Sequence, residues 1–237
     1  MIFVILLTLL SPKVFDYSVL GELKNLEVLR LTGNSIRNGL GWLTELRDLK
    51  ALAIDVDRSM SLAPIADLPN LESLVLMLAY PADLAPITSA PLLQKLVVRT
   101  DQEVKWDAAL PVPRKLRQLV ISGGGIKGLE GLQGCRDLEI LTISNSPVSD
   151  LSPISGMRNL GTIDLRGTKV DDLSVIGSLA KFALTNGEPK LFLTKSPALA
   201  RYPSLAGLAA MTVGRDSQVY AGELASEMSL LLAESST

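Results

Sequence analysis

The chain has 237 residues, of which 47% are apolar and 20% charged, a composition that fits a folded soluble protein and argues against disorder. Its formal net charge of −2 gives no general attraction to nucleic acid or to anionic membranes. The single cysteine excludes an internal disulfide, and the lack of histidine excludes Ser-His-Asp and Cys-His catalytic groups and the usual zinc ligand sets.

The chain opens with MIFVILLTLLSP, a run that could be the core of a secretory signal. No basic segment precedes the run and no small-x-small cleavage site follows it, so a signal peptide is not predicted. Its nine apolar or near-apolar residues are too few to cross a bilayer. We therefore expect no transmembrane segment. The compartment stays open, with a cytoplasmic location slightly favoured.

An internal repeat of 22 or 23 residues organises most of the chain. Each copy has apolar residues at its first, fourth and sixth places. The seven copies are LEVLRLTGNSI from Leu26, LKALAIDVD from Leu49, LESLVLMLA from Leu71, LQKLVVRTD from Leu93, LRQLVISGGGI from Leu116, LEILTISNSPV from Leu138 and LGTIDLRGTKV from Leu160. Their starts are 23, 22, 22, 23, 22 and 22 residues apart, which predicts a stacked repeat protein.

A second pattern follows several of these strand segments. The segments LAPIADL (62–68), LAPITSA (84–90), LSPISGM (151–157) and LSVIGSL (173–179) line up. The three-residue spacing puts their apolar residues on one side of a tight turn. Pro64, Pro86 and Pro153 fix φ and keep this turn short.

These segments resemble the leucine-rich repeat family in its 22-residue form, with the best likeness to bacterial internalin-like repeats. The sequence SDLSPISGMRNL (149–160) is the best match to their D-L-S-P-L/I signature. The resemblance covers residues 4–179 and implies an α/β fold, a right-handed curved solenoid of about eight to nine coils over residues 1–200. Such a solenoid has a parallel sheet on its concave face and short helical or extended turns on its convex face. With strands about 4.8 Å apart, it would be roughly 40 Å long.

The repeat extends back into the opening run. Val4 lies 22 residues before Leu26, and Val4, Leu7 and Leu9 occupy the three core positions of a strand. Ile5, Leu6 and Leu10 would face outward, and no capping segment precedes the strand. We therefore expect the first coil to be uncapped or truncated, with a strand edge through which the protein could self-associate.

The residue after each strand departs from the family pattern, which places Asn there. Only Asn34 keeps it, and the equivalent residues are Asp57, Ala79, Asp101, Gly124, Ser146 and Thr168. Asp, Ser and Thr can partly replace Asn by bonding the backbone of the turn. Ala79 and Gly124 cannot, so their turns are expected to be less regular.

The register shifts after residue 179. The segment LFLTKSPAL (191–199) repeats the pattern, with its strand starting near Glu188. This start lies 28 residues after Leu160, so a short insertion is expected around residues 185–188.

The last segment, residues 201–237, is predicted to be a helical cap. Residues 202–211 suit a short helix with Pro203 in its first turn. A second helix is indicated by Ser217 as N-cap and by the helical spacing of Tyr220, Leu224, Met228, Leu231 and Leu232. One apolar face on a terminal helix is what the last open coil requires, and a helix that docks onto a partner is the alternative.

Three features could carry chemistry, and for each a structural role is expected. Cys135 occupies a register that leucine or methionine fills elsewhere, and no cation is placed to lower its pKa, so a buried thiol is predicted. Gly123–Gly125 lacks the Lys-Ser/Thr ending of a phosphate loop and marks a turn. Asp171 and Asp172 lie on a turn with no further ligand at fixed spacing, so a metal site is not expected there.

Trp42 lies on a convex turn and Trp106 in an irregular coil. Both are expected to fill gaps in the packing, although a surface anchor is the alternative. No catalytic, cofactor-binding or metal-binding residue is predicted.

The outward strand positions form the predicted binding surface. These residues are Arg30, Asp55, Val75, Met77, Val97, Arg99, Val120, Ser122, Thr142, Ser144, Asp164 and Arg166. The three valines and Met77 would form an apolar centre with a charged rim, which suits a protein interface. The alternative is that valine on an exposed strand reflects β-propensity alone.

The leading hypothesis is a non-catalytic scaffold whose concave face binds a protein or peptide, without a cofactor and without nucleic acid. One alternative is the recognition segment of a larger signalling protein or enzyme, of the ligase, kinase or phosphatase-regulator type. Another is a structural solenoid that self-associates.

Overall fold

The fold is built on one long sheet. The computed structural model describes residues 6–9, 16–31, 36, 38–56, 60–102, 104–105, 113, 115–124, 126–177, 179, 190–202 and 218–220. The strands are β1 (Leu6–Leu9), β2 (Val28–Leu31), β3 (Ala51–Val56), β4 (Ser73–Leu78), β5 (Ala82–Asp83), β6 (Lys95–Arg99), β7 (Val104–Lys105), β8 (Gln118–Ser122), β9 (Ile140–Ser144), β10 (Thr162–Asp164), β11 (Lys190–Phe192) and β12 (Gln218–Tyr220). The main sheet has the order β1-β2-β3-β4-β6-β8-β9-β10-β11-β12, and every pair from β1 to β11 is parallel.

Neighbouring strands pair in the register that the repeat predicts. Leu29 pairs with Leu52, and Leu52 pairs with Leu74. This core column comprises Leu29, Leu52, Leu74, Leu96, Leu119, Leu141, Ile163 and Leu191, and each member is at most 1% exposed. Burying such a side chain contributes roughly 1.5–3 kcal/mol. Because the burial comes from the neighbouring coils, no single coil would be stable alone.

The step from β10 to β11 is longer than the others. Thr162 pairs with Lys190, 28 residues further along the chain, as the predicted register shift requires. Leu191 and Leu193 are fully buried, so β11 continues the core. The insertion predicted around residues 185–188 lies outside the described residues.

Short helical turns run along the opposite side of the coils. They span Ser18–Glu22, Gly41–Glu45, Ala63–Ala66, Ala85–Ser89, Glu130–Leu132, Ser152–Ile154, Ser174–Gly177 and Ala198–Arg201. Pro64, Pro86 and Pro153 lie at the first or second position of their helices, and each of these helices buries an isoleucine, as the sequence predicts. Across the part of the chain that the structure describes, no helix has the length and apolar character needed to cross a membrane.

An acidic side chain two residues before several of these turns accepts a hydrogen bond from the first N–H of the turn. The pairs are Asp16–Ser18, Asp83–Ala85, Asp150–Ser152 and Asp172–Ser174, with N···O distances of 2.9, 2.9, 2.8 and 2.8 Å. A backbone N–H at a helix start has no partner within the helix. The aspartate of the D-L-S-P signature therefore satisfies the donor that the turn leaves unpaired.

These hydrogen bonds favour the ionised carboxylate. In Asp150 and Asp172 the backbone N–H of the serine two residues on is the main cause of a lowered pKa, followed by the hydroxyl of that serine. The pKa of Asp16 is lowered as well, with the Ser18 hydroxyl as the main cause and its N–H second. Because the folded pKa lies below the unfolded one, the bonds stabilise the fold above the unfolded pKa and are lost as the pH falls through the folded value.

Two asparagines tie neighbouring coils together. Asn70 Nδ2 donates to the carbonyl of Arg47 at 2.9 Å, and Asn159 Nδ2 donates to the carbonyl of Arg136 at 3.1 Å. Each bond crosses from one coil to the coil before it.

The predicted replacement of Asn after the strands holds at one position. Thr168 Oγ1 donates to the carbonyl of Leu165 at 2.7 Å, which confirms the prediction. It is wrong at Ser146, whose buried hydroxyl has no hydrogen-bond partner among the described residues. Asn34 and Asp57 lie outside those residues.

The turn after β4, which contains Ala79, carries an additional element. It continues into β5, and β5 pairs with β7 in a two-stranded parallel ladder beside the main sheet. The turn that lacks an Asn substitute is thus extended by a second, short sheet.

The C-terminal segment corrects the predicted helices where the structure describes it. Helix Ala198–Arg201 ends before Tyr202, where a helix was expected to begin. Gln218–Tyr220, expected in the first turn of the second helix, forms β12 and pairs antiparallel with β11. An edge strand has unpaired N–H and C=O groups, and β12 satisfies those of β11. Residues 203–217 and 221–237 lie outside the described residues, so the rest of the predicted cap stays a prediction.

Replacing Asp150 by Ala should destabilise the fold at neutral pH by about 0.5 kcal/mol, the low end of the range for a capping side chain, because this carboxylate is exposed to solvent. The deficit should shrink as the pH falls below about 3.8, since the wild-type carboxyl then loses its charge as well. Urea unfolding at pH 7 and at pH 3 measures both effects.

The matched control is Asp48→Ala, which removes an exposed carboxylate on another turn and should change neither value. An equal deficit for Asp150→Ala at both pH values would contradict the role of the charged cap.

Candidate functional site

The outward face of the sheet carries a continuous row of small aliphatic residues. Val75 pairs with Val97, and Val97 pairs with Val120. The row extends to the neighbouring strands, and we call Ala53, Val75, Val97, Val120 and Thr142 the valine stripe. With strands about 4.8 Å apart, the stripe crosses β3, β4, β6, β8 and β9 over about 19 Å.

The centre of the stripe is less accessible than the sequence analysis expects. Val97 is 8% exposed, whereas Val75 and Val120 are half-buried. Val97 has a valine on each side in the row, and these neighbours limit its access to solvent. The accessible aliphatic surface at the centre of the stripe is therefore provided mainly by Val75 and Val120, with Val97 between them.

A second row runs along the ends of the same strands. Asp55 pairs with Met77, and Met77 pairs with Arg99, which is exposed. Arg99 pairs in turn with Ser122, and Ser122 with Ser144. The first four residues line a groove of about 540 Å³ together with the turn residues that follow them.

Asp164 and Arg166 were expected as outward side chains, and Asp164 stays in the outward row but is only 4% exposed. Arg166 Nη2 lies 2.7 Å from Asp164 Oδ2, and Arg166 Nε donates to Asp164 Oδ1 at 2.9 Å. The backbone N–H of Arg166 also donates to Asp164 Oδ1, at 3.1 Å. This forked pair satisfies the buried carboxylate, which is why it can lie below the surface.

The same arginine covers the next strand. Its guanidinium carbon lies 5.4 Å from the ring centre of Phe192 on β11, a distance at which a cation and an aromatic ring attract each other. The valine stripe is therefore bounded on one side by the Asp164–Arg166 ion pair on β10 and by Phe192 on β11. On the other side Arg30 stands exposed on β2.

A third outward row was not predicted from the sequence. Its members are Val28, Ala51, Ser73, Lys95, Gln118, Ile140 and Thr162, which pair in sequence across the sheet. Strand alternation could have identified them, since they lie two residues before the valine row and so share its face. Lys95 is charged and exposed, and the row continues from Thr162 to Lys190 on β11.

Tyr80 is a further residue that the sequence analysis missed. It is 48% exposed and follows Ala79, which lines the groove at the strand ends. An aromatic residue in a turn of a chain with 4% aromatics is the signal that could have identified it.

Cys135 has the structural role that was predicted. It is 2% exposed, and burial, with a smaller effect of the Asp137 charge, raises the pKa of its thiol to about 11. A thiol with this pKa is protonated at neutral pH and is a poor nucleophile. Cys135 also contributes to the wall of an open cavity of about 770 Å³ between the turns at 134–137 and 153–159.

The Asp171–Asp172 turn contacts the last described coil. Asp172 caps its turn, and the Tyr202 hydroxyl lies 3.4 Å from Asp172 Oδ1. Arg201 Nη1 lies 4.0 Å from Asp171 Oδ2 and 3.9 Å from Asp172 Oδ2. Within the described residues, no group of three or more His, Cys, Asp or Glu side chains could hold a metal ion.

The remaining candidates are glycines and tryptophans. Gly123 has φ +106°, and a Cβ there would collide with the Thr100 carbonyl, so the glycine is required by the turn. Trp42 is 8% exposed, donates to the Gly39 carbonyl at 3.0 Å and packs near Tyr17, which agrees with a gap filler. Trp106 lies outside the described residues.

Replacing Asp164 by Ala should lower the free energy of unfolding by about 2 kcal/mol, since it removes charged hydrogen bonds from a buried acceptor. The loss should stay below that of a fully buried ion pair because the Arg166 side chain is 38% exposed and can turn to water. Urea unfolding at neutral pH measures it, with Asp48→Ala as the control. A change below about 0.5 kcal/mol, the size of a surface ion pair, would show that the pair contributes little.

Known structures share the architecture, although sequence comparison alone finds no relative: no protein-family model matches, and no curated protein does. The functional domain of InlJ from Listeria monocytogenes superposes with a TM-score of 0.54 at 20% identity, over 79% of this chain and 41% of that one. The internalins InlF and InlC2 from Listeria monocytogenes str. 4b F2365 match at 19% and 18% identity over 78% and 77% of this chain, with TM-scores of 0.42 and 0.44.

The chain spans 66% of the length of InlF and of InlC2, and less than half of the InlJ chain. At these identities the likeness to InlJ concerns the fold. The period of the leucines, the parallel sheet and this likeness together confirm the predicted architecture. The chain therefore has the leucine-rich repeat fold, with repeats of 22 or 23 residues, and bacterial internalins are among its structural neighbours.

Proposed function

We propose that the chain is a non-catalytic scaffold that binds a segment of a protein or peptide across the outward face of its sheet. The observation that carries the proposal is the valine stripe, a row of aliphatic side chains on the face opposite to the core. Aliphatic residues at the centre of a face with charged residues at its margin are typical of a binding surface.

The size of the stripe indicates what kind of partner fits. Three outward rows span about 13 Å along each strand, and the stripe is about 19 Å long, so the footprint is about 250 Å². A standard protein interface covers about 800 Å² on each partner. The stripe therefore suits a short extended segment or a loop, and about six extended residues would cross it.

The groove at the strand ends offers a second contact beside the stripe. Tyr80 stands exposed next to it, and Met77 forms part of its wall. Tyrosine and methionine are enriched in protein interfaces relative to the rest of the surface. A segment lying on the stripe could extend over this groove and contact Tyr80.

Five of the described side chains that could take part in catalysis have structural roles, which supports a non-catalytic scaffold. The Cys135 thiol is buried and protonated at neutral pH, and Asp16, Asp150 and Asp172 bond the starts of turns. Asp164 is held by Arg166. The chain has no histidine to act as a general base near neutral pH.

Replacing Val120 by Glu should abolish binding at the stripe, because any aliphatic group of a partner would then meet a charge. We expect the recovery of binders from a displayed library of random dodecapeptides to fall at least tenfold, the effect of about 1.4 kcal/mol. Val120 is half-buried and faces away from the core, so the fold should be retained, which circular dichroism can check.

Val19→Glu is the matched control, since it makes the same change at a 68% exposed valine on the helical turn Ser18–Glu22. It should leave recovery unchanged. Equal recovery on the Val120→Glu variant and on wild type would exclude the stripe as the binding surface.

A further inference from the structure

The charge of the outward face has the opposite sign to that of the whole chain. Among the described side chains of the three outward rows, the cations are Arg30, Lys95, Arg99 and Arg166, and the anions are Asp55 and Asp164. Four cations against two anions give +2, whereas 23 basic and 25 acidic residues give the chain −2. Positive charge is therefore concentrated on the face that carries the valine stripe.

Three of these cations are available to a partner. Arg166 is already held by Asp164. Arg30, Lys95 and Arg99 are exposed and make no ion pair or hydrogen bond with any residue that the structure describes.

Cations just outside these rows differ in this respect. Lys50 Nζ lies 3.0 Å from Glu27 Oε2, and Arg117 Nη1 lies 3.1 Å from Glu139 Oε1. These two cations at the margin of the sheet thus have acidic partners, whereas Arg30, Lys95 and Arg99 have none among the described residues.

The free cations lie around the stripe. Lys95 and Arg99 are at the two ends of β6, about 13 Å apart, with Val97 between them. Arg30 is three strands away from β6, at about 14 Å. Charges are screened over about 8 Å at physiological salt, so each cation acts on a separate position of a bound segment.

Acidic side chains lie close to the cation at the carboxyl ends of the strands. Asp55 and Asp101 line the groove together with Arg99 and offset part of its charge. Lys95 lies at the other end of β6 and does not line that groove. None of the described members of the Lys95 row is acidic, so the charge of Lys95 is not offset within its own row.

We infer that the segment bound on the valine stripe is an acidic peptide stretch of a partner protein, about six to eight residues long and containing aliphatic residues. The inference rests on the proposed function. The aliphatic side chains of the bound peptide pack on Val75 and Val120, and the carboxylates of the peptide reach Lys95 and Arg99. Single-stranded nucleic acid fits less well, since its binding uses aromatic side chains on which bases stack, and the stripe consists of Ala, Val and Thr.

The test uses the displayed random dodecapeptides as the probe and compares wild type with the Lys95→Glu/Arg99→Glu double variant. Peptides recovered on wild type should contain at least twice the Asp and Glu content of the library. Recovery of these peptides should fall at least tenfold on the double variant. It should also fall between about 0.1 M and 1 M NaCl, where the screening length shortens from about 10 Å to about 3 Å.

The Arg136→Glu/Arg158→Glu double variant is the matched control, because both arginines are exposed on the turn side and line the cavity there. It makes two charge reversals away from the sheet and should leave recovery unchanged.

The outcomes separate this inference from the proposed function. Neutral or basic peptides that are lost on Val120→Glu would overturn the inference and leave the proposed function standing. Acidic peptides recovered equally on the double variant would overturn it as well. If no peptides were recovered on wild type either, both the inference and the proposed function would be overturned. A labelled single-stranded oligonucleotide that binds wild type more tightly than the selected peptides would overturn the inference in favour of nucleic acid.

Discussion

Burial of the leucine columns between neighbouring coils is the constraint on which the rest of the structure depends. A coil of 22 residues cannot enclose its own aliphatic side chains, so it must match the register of the coils beside it. Leu52 pairs with Leu29 on one side and Leu74 on the other, and the same holds along the sheet. The hydrogen bonds that Asn70 and Asn159 donate to the preceding coil also hold neighbouring coils together.

This constraint leaves the outward positions free to vary. Their side chains do not contribute to the core, so valines, cations and serines can occupy them without changing the register. One position departs from this rule, since Asp164 is drawn below the surface and held by Arg166. That pair and Phe192 mark where the valine stripe ends, and so they set the length of the aliphatic surface.

The repeat predicts the core because its period and its pairing have one common cause, the stacking of leucines. Cys135 was predictable for this reason, since its register is a buried one. The low exposure of Val97 was not, because it depends on which side chains lie beside it across strands. The burial of Asp164 depends on a fork with Arg166 that spacing alone does not reveal. Residues 218–220 have a helical pattern but form β12. Pairing with the edge of β11 is a tertiary contact, which a local sequence pattern does not reveal.

The antiparallel direction of β12 has a consequence for the growth of the array. A parallel solenoid can in principle accept a further coil at its last strand, because every new coil offers the same set of donors and acceptors. Once Gln218–Tyr220 occupies the edge of β11 in the opposite direction, the next strand would meet a different hydrogen-bond pattern. A further coil stacked in parallel could therefore not repeat, at β12, the hydrogen-bond pattern that joins the coils from β1 to β11.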